Sequence, residues 1–228
     1  MAEEFNLLRS VPKVVRDVGA RLIDKEENRR LSLQFGFDYF DGPRSRGYGG
    51  YHYDGRWVQV AHDIIERWDL KPGDRVLDIG CAKGFLVKDL ADQLPGLEVW
   101  GLDISAYALA NSHPDVRGRL VRGNCDRLPF PDGAFTLALS INTIHNLEPE
   151  GCLAALREMR RVAPGGGFVQ VDAYRTEVER QIFQDWMLAA KTWCRPEEWR
   201  ALFDEAGYRG DWYWTVMEAG PEVIGRQP

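Results

Sequence analysis

The 228-residue sequence is poor in cysteine, with four residues (Cys81, Cys125, Cys152 and Cys194) scattered and no C-x-x-C pair. That spacing provides neither a zinc site nor a disulfide framework, and a reducing, cytoplasmic setting is the expectation. Surplus positive charge is lacking too: 29 Lys and Arg stand against 35 Asp and Glu, a net charge of −6. Binding to a phosphate backbone normally shows as clustered excess Lys and Arg, so no nucleic-acid partner is expected. No window approaches the roughly 20 apolar residues of a membrane span. The opening "MAEEFNLLRSVPKVV" puts acids first and has no long apolar run, so neither a membrane segment nor a secretory leader is expected. Internal repeats, low-complexity tracts and long linkers are also missing.

What is present is alternation. From Lys71 onward, short apolar runs ("RVLDIG", "LEVWGLD", "GRLVRG", "FTLALS", "GFVQVDAY") take turns with segments of helical period ("GFLVKDLADQL", "SAYALANS", "CLAALREMRRV"). Strands alternating with helices imply an α/β fold with a parallel sheet covered on both faces. Upstream, "RWVQVAHDIIERW" sets Trp57, Val60, Ala61, Ile64, Ile65 and Trp68 at helical spacing, a helix that leans on the sheet. Residues 1–55 read as an N-terminal cap: a helix, then "FDYFDGPRSRGYGGYHYDGRW", rich in Gly, Tyr and charge. Residues 56–228 read as the main body, and the whole as a single domain. Five of the eight Trp fall between residues 186 and 214. Trp186, Trp193 and Trp199 have helical spacing and read as core; Trp212 and Trp214 share a strand face and suit an acceptor pocket, by stacking or cation–π attraction.

The stretch "RVLDIGCAKGFL" carries the chemistry. A phosphate-cradling loop needs G-x-x-x-x-G-K-[ST], but here Lys83 precedes Gly84 and no Ser or Thr follows. A dinucleotide loop needs G-x-G-x-x-G, and the spacing of Gly80, Ala82 and Gly84 does not match it. A carboxylate at Asp78 would repel phosphates in either case. A nucleoside ligand without phosphate, carrying a cation, is the reading that accommodates Asp78.

Asp78-x-Gly80-x-Ala82-x-Gly84 resembles the D/E-x-G-x-G-x-G loop of class I S-adenosylmethionine-dependent methyltransferases. The likeness continues in "VWGLDIS", in "RGNCDRLPFPDGAF", in "LALSINTIHNL" and in "EMRRVAPGGGFVQV", covering about residues 71–175 in order and spacing. It implies a Rossmann-like class I methyltransferase fold: a seven-stranded, mostly parallel sheet with helices on both faces and an N-terminal helical cap. S-adenosylmethionine is the implied cofactor. Asp78 would face its methionyl ammonium, with the backbone of Gly80, Cys81 and Ala82 in close approach. Asp103, followed by Ile104, would take the ribose hydroxyls, and the Asn124 side chain and Cys125 backbone the adenine edge. Ser140 belongs to the cofactor side, and Tyr48 and Arg56 of the cap to the methionine tail. Ala82 stands where the family usually has Gly; it is tolerable unless that residue takes a positive φ.

On the acceptor side, His145 follows the fourth strand of the pattern and is either a general base or an orienting hydrogen-bond partner. Asn142, Asn146, Tyr51, Tyr53, Tyr174 and Trp212 are the candidate acceptor contacts. The expected function is methyl transfer from S-adenosylmethionine to an oxygen or nitrogen of a small-molecule biosynthetic intermediate, with no metal. The alternatives are a cofactor-binding protein without catalysis and an NAD-dependent oxidoreductase. The acceptor's identity and the question of a homo-oligomer stay open at this stage.

Overall fold

The runs "RVLDI", "LALSI" and "GFVQVD" are apolar on both faces, and only a strand covered from both sides tolerates that. In the computed structural model, which describes residues 2–218, 220, 223 and 224, they form the centre of a parallel sheet. The cap contributes β1 (Arg16–Asp17), α1 (Val18–Leu22), α2 (Lys25–Ser32) and α3 (Phe37–Phe40), and α4 (Val58–Arg67) leads into the sheet. Then come β2 (Arg75–Ile79), α5 (Phe85–Gln93), β3 (Glu98–Asp103), α6 (Ala106–Ala110), β4 (Leu120–Arg122) and β5 (Leu137–Ile141). After these follow α7 (Pro149–Val162), β6 (Gly167–Asp172), α8 (Glu177–Trp186), α9 (Pro196–Ala206), β7 (Asp211–Thr215) and β8 (Val223–Ile224).

The sheet order is β4-β3-β2-β5-β6-β7, every pair parallel, with Val76 opposite both Val99 and Leu137. One face, carrying Val76, Val99, Leu137, Leu139 and Phe168, packs on α4 and α5 through Ile64, Leu86 and Leu90. The other, carrying Leu77, Ile79, Leu102, Val169 and Val171, packs on α7 and α9 through Leu156, Met159, Trp199 and Phe203. Because β2 leads to β3 and β4 on one side while β5 starts the other, the strand order reverses between β2 and β5. In open α/β sheets the crevice beyond the carboxyl ends at such a point is where ligands bind.

Six strands, not the expected seven, make up this sheet among the described residues. The reason lies at the edge: the Phe5 N–H donates to Trp212 O (2.8 Å) and the Trp212 N–H to Glu3 O (3.2 Å), so the N-terminal segment covers β7. Arg67 ties it there by bonding both Glu3 and Asp211. β8 instead pairs in parallel with β1, beside the cap. Helix α8 stops at Trp186, leaving Trp193 in the connection to α9, where Pro196 opens the next helix and Gly207, at φ 66°, closes it.

The cap is anchored at two places. Lys25 donates to the carbonyls of Gln184 and Asp185, Arg21 to Trp186 O and Arg29 to Ala190 O, so cations meet the carbonyl end of α8. At the other, the Lys83 ammonium donates to both oxygens of Asp41 (2.7 and 2.8 Å) and to Tyr51 O (2.9 Å). Asp41 also accepts from the Tyr107 hydroxyl (2.7 Å) and the Tyr51 N–H (3.1 Å). Burial raises the Asp41 pKa, but these donors outweigh it and hold the carboxyl below its ordinary value.

Both members of the Lys83–Asp41 pair are largely buried. Removing one leaves the other uncompensated, which costs about 3–5 kcal/mol. Asp41→Ala should therefore lower unfolding stability by about 3 kcal/mol and expose Arg44 and Arg46 to trypsin ahead of the core. An unchanged denaturation midpoint together with an unchanged cleavage order would show that the pair does not hold the cap.

Candidate active site

The loop after β2 needs left-handed backbone three times within five residues: Gly80 (φ 82°), Ala82 (φ 51°) and Gly84 (φ 75°). At Gly80 a side chain has no room, since a Cβ would run into the side chain of Thr143. Ala82 has no such freedom of its own and holds a conformation that costs an L-residue about 1–2 kcal/mol. Its N–H donates to Asp103 Oδ2 (2.8 Å), which clamps the loop to the end of β3.

Two carboxylates meet beside this loop. Asp103 is 8% exposed, lines the cleft, and accepts from the N–H groups of Ala82 and Ser105 (2.8 Å each). Burial raises its pKa, and the amides pull the other way. Each of its oxygens retains acceptor capacity toward vicinal hydroxyls. Asp78 is not itself part of the cleft lining; it sits deeper and is 5% exposed. Among the described residues nothing donates a hydrogen bond to its carboxylate. Burial, and then the charge of Asp103, push its pKa up to about 7. The cation of the loop itself, Lys83, is committed to Asp41.

The cleft, counted together with the open space at its mouth, spans about 700 Å³. Ile104, 48% exposed, offers an apolar face, and Asn124 and Cys125 an edge with an amide side chain. Asn142, Thr143 and Asn146 form the floor at the end of β5, and Phe35, Tyr39, Phe40 and Tyr48 of the cap close over it. The lining offers an acid for a diol and an apolar slot, a buried carboxyl without a counter-charge lies behind it, and the loop is no phosphate cradle. That suits a nucleoside bearing a cation.

A second cavity, of about 850 Å³ and open to solvent, shares Tyr39, Tyr48, Asn142 and Asn146 with the first. His145, Asp172, Thr215 and Trp186 line it, along with Arg16, Arg21 and Arg44. The Asp172 N–H donates to His145 Nδ1 (2.9 Å), so the neutral ring carries its proton on Nε2. Nδ1 is therefore occupied as an acceptor, and the remaining ring nitrogen is the donor. The Asp172 carboxyl lies 3.7 Å from Nδ1; burial raises its pKa, while the charges of His145 and Arg16 lower it. Asn142 is held in the left-handed region (φ 52°), its Oδ1 accepting from the Thr215 hydroxyl (2.9 Å).

Of the residues expected from sequence, Gly80, Ala82, Asp103, Ile104, Asn124, Cys125, Asn142, Asn146 and Tyr48 line the first cleft, and His145 the adjoining one. Others are displaced for identifiable reasons. Ser140 is 0% exposed, buried inside β5 with its hydroxyl unpartnered, and does not reach the cleft. The Cys81 side chain packs into the core against Gly101, so only its backbone is near the loop surface. Arg56 is held outside by Asp54 (2.6 Å), and the Tyr53 hydroxyl is turned to Asp89 (2.6 Å). Tyr51 stacks on Phe85, with ring centroids 5.0 Å apart, rather than facing an acceptor. Tyr174 lies in a small apolar cluster with Ile182 and Phe183. Trp212 packs on Phe203 and Trp214 at the sheet edge, beneath Arg200. Trp186, expected in the core, instead forms part of the second cavity's wall.

Sequence reasoning missed Phe35, Tyr39 and Phe40, although the aromatic density of "FDYF" just before the Gly-Tyr segment was a usable signal. Arg16, Arg21, Arg44 and Asp172 had no local signal, because three separate pieces of the cap and the distant end of β6 bring them together.

Comparison with known proteins fits this geometry. Residues 76–167 match a family model described as a methyltransferase domain. The chain is 36% identical to the demethylmenaquinone methyltransferase of Beutenbergia cavernae over 126 residues, 54% of this chain and 49% of the relative. It is 33% identical to the ubiquinone/menaquinone biosynthesis C-methyltransferase UbiE of Cupriavidus metallidurans over 158 residues, 60% of this chain and 64% of the relative. A Haloferax volcanii methyltransferase, solved with the Trm112 methyltransferase activator, superposes with a TM-score of 0.53 at 22% identity, covering 85% of this chain and 77% of that one. At that identity the likeness shows the fold. The chain spans about half the length of several of the curated relatives it matches. The fold and the methyltransferase-domain match over residues 76–167 support a class I S-adenosylmethionine-dependent methyltransferase. S-adenosylmethionine is the cofactor of that class, and the residues of the cleft fit it.

The strain at Ala82 gives a direct check. Ala82→Gly should stabilise the protein by about 1 kcal/mol in chemical denaturation. Gly80→Ala, by contrast, should displace Thr143 and weaken S-adenosylhomocysteine binding at least tenfold in calorimetry. Destabilisation by the first, or normal affinity in the second, would contradict the loop geometry.

Proposed function

We propose that the protein transfers the methyl group of S-adenosylmethionine to a small-molecule acceptor seated in the second cavity. The observation that carries this reading is Asp78: a buried carboxylate beside a strained glycine loop, next to a second acid, with no donor to satisfy it. Such a group is costly unless a cation arrives, and the cofactor's ammonium is a cation of the right kind. Asp103 would hold the ribose hydroxyls, Ile104 the adenine face, Asn124 and the Cys125 backbone the adenine edge, and Tyr48 the boundary with the acceptor.

When bound, the cofactor supplies a methyl group on a sulfonium, an electrophile already activated. The protein's part is then to position the acceptor and exclude water. His145, as an Nε2–H donor, would orient an acceptor oxygen, with Asn142 and Asn146 at the boundary between the cavities. The proton lost by the acceptor would go to Asp172, whose burial leaves it a better base than an exposed carboxylate. An oxygen acceptor needs such a base, and so does a carbon acid; an amine need only be held unprotonated. The likeness to a C-methyltransferase of ubiquinone/menaquinone biosynthesis favours carbon as a second reading beside oxygen or nitrogen.

Calorimetric titration with S-adenosylmethionine, S-adenosylhomocysteine and NAD tests the class. The first two should bind, NAD should not, and Asp103→Ala should lose ten- to hundredfold in affinity, about 1–3 kcal/mol. With a phenol, quinol and amine panel read by S-adenosylhomocysteine release, Asp172→Asn should cut kcat by about 10²–10⁴ and leave cofactor affinity unchanged. Binding of NAD alone would overturn the class, and cofactor binding without turnover of any acceptor would favour a non-catalytic binding protein.

A further inference from the structure

Three guanidinium groups line the second cavity, Arg16, Arg21 and Arg44, against one carboxylate, Asp172. Arg21 is 7% exposed and lies over the Trp186 ring at 3.5 Å. It donates to the carbonyls of Trp186 (3.0 Å), Gly47 (2.9 Å) and Arg44 (3.4 Å), while its buried Nε has no partner. Taken alone, Arg21 would be a cation capping the carbonyl end of α8. That role does not account for its surroundings. Arg44 lies 5.5 Å above the same Trp186 ring and donates only to the carbonyls of Gly47 and Tyr48. Among the described residues neither Arg21 nor Arg44 pairs with a carboxylate. The ionisable groups around Arg21 are Arg16 and Arg44, which are repulsive, and the phenols of Tyr39 and Tyr48. Its pKa is pushed down to about 9 by burial and then by Arg44, so the carbonyls do not offset the charge.

A buried guanidinium with an orphaned N–H, Arg21, set beside the half-buried Arg16 and the exposed Arg44, carries an unmet cost of desolvation and repulsion. Guanidinium groups meet that cost by binding oxyanions through several N–H bonds at once. From this, and resting on the reading that this cavity takes the acceptor, we infer that the acceptor carries an oxyanion group, a carboxylate or a phosphate, bound by Arg44, Arg21 and Arg16. The group to be methylated then points toward Asn142, His145 and Asp172, on the side that adjoins the cofactor cleft. The arrangement gives the enzyme a means of rejecting neutral analogues, since an uncharged acceptor would leave the arginine wall unpaired.

The test uses the full chain, with and without saturating S-adenosylhomocysteine, and follows the arginine Nε–H signals by NMR during titration with sodium acetate or inorganic phosphate at ionic strength held constant with chloride. The Arg21 and Arg44 signals should shift saturably, about tenfold tighter than with chloride. Arg44→Gln, at an exposed position where misfolding is not expected, should weaken the anion at least fivefold without changing S-adenosylhomocysteine affinity; Arg16→Gln provides the second variant. Tighter phosphate than acetate would assign a phosphate-bearing acceptor, and the reverse a carboxylate-bearing one. Shifts that never saturate, or saturation indifferent to both variants, would overturn the inference. Failure of S-adenosylhomocysteine to bind would instead count against the methyltransferase reading, and the anion titration of the free protein would still decide this one.

Discussion

The ion pair between Lys83 and Asp41 settles where the positive charge of the cofactor loop goes. Lys83 follows Ala82 directly, close enough in sequence to neutralise Asp78 or Asp103, yet its ammonium turns to the cap and is shared between Asp41 and the Tyr51 carbonyl. Two consequences follow. The acids at the ends of β2 and β3 keep their charge demand unmet, which creates an affinity for an external cation. The cap, in turn, is drawn down so that Phe35, Tyr39, Phe40 and Tyr48 roof the cleft. Recognition and enclosure thus depend on the same contact.

The cap also divides the space. Tyr39 and Tyr48 border both cavities, as do Asn142 and Asn146 at the end of β5. The boundary is where an acceptor atom could meet a methyl group from the other side. The two cavities differ in charge: Asp103 lines the first, while Arg16, Arg21 and Arg44 outnumber Asp172 around the second. Opposite fields over so short a distance sort their ligands by charge as much as by shape.

Much of the first cleft and its loop was legible in the chain because it is local. Asp78, Gly80 and Ala82 fall within five residues, and Asp103 and Asn124 close consecutive strand–loop units whose register the parallel sheet enforces. What was illegible depends on side-chain direction or distant partners. In a strand buried on both faces, nothing in the pattern says that Ser140 turns inward while Ile141 reaches the cleft. Arg56 and Tyr53 were plausible pocket residues until Asp54 and Asp89 captured them. The count of strands failed for a similar reason, because the edge of β7 is occupied by residues 3–5, over two hundred positions away in sequence. His145 follows β5, as its place in the pattern suggests, but which ring nitrogen accepts turns on one backbone N–H, that of Asp172.

The central claim is that Asp78 waits for a cation. Its raised pKa means that, as pH rises from about 4 toward about 7, the unfolded chain ionises this group before the folded protein does. Stability is lost through that window in the free protein and restored by a ligand that brings a positive charge. Titration of the Asp78 carboxyl carbon by NMR measures this directly, with and without S-adenosylhomocysteine. The expected midpoint is near 7 in the free protein, falling by at least one unit when the ligand is bound, with ligand affinity weakening as pH drops below 7. A midpoint in the ordinary carboxylate range in the free protein, or one that the ligand does not move, would contradict it.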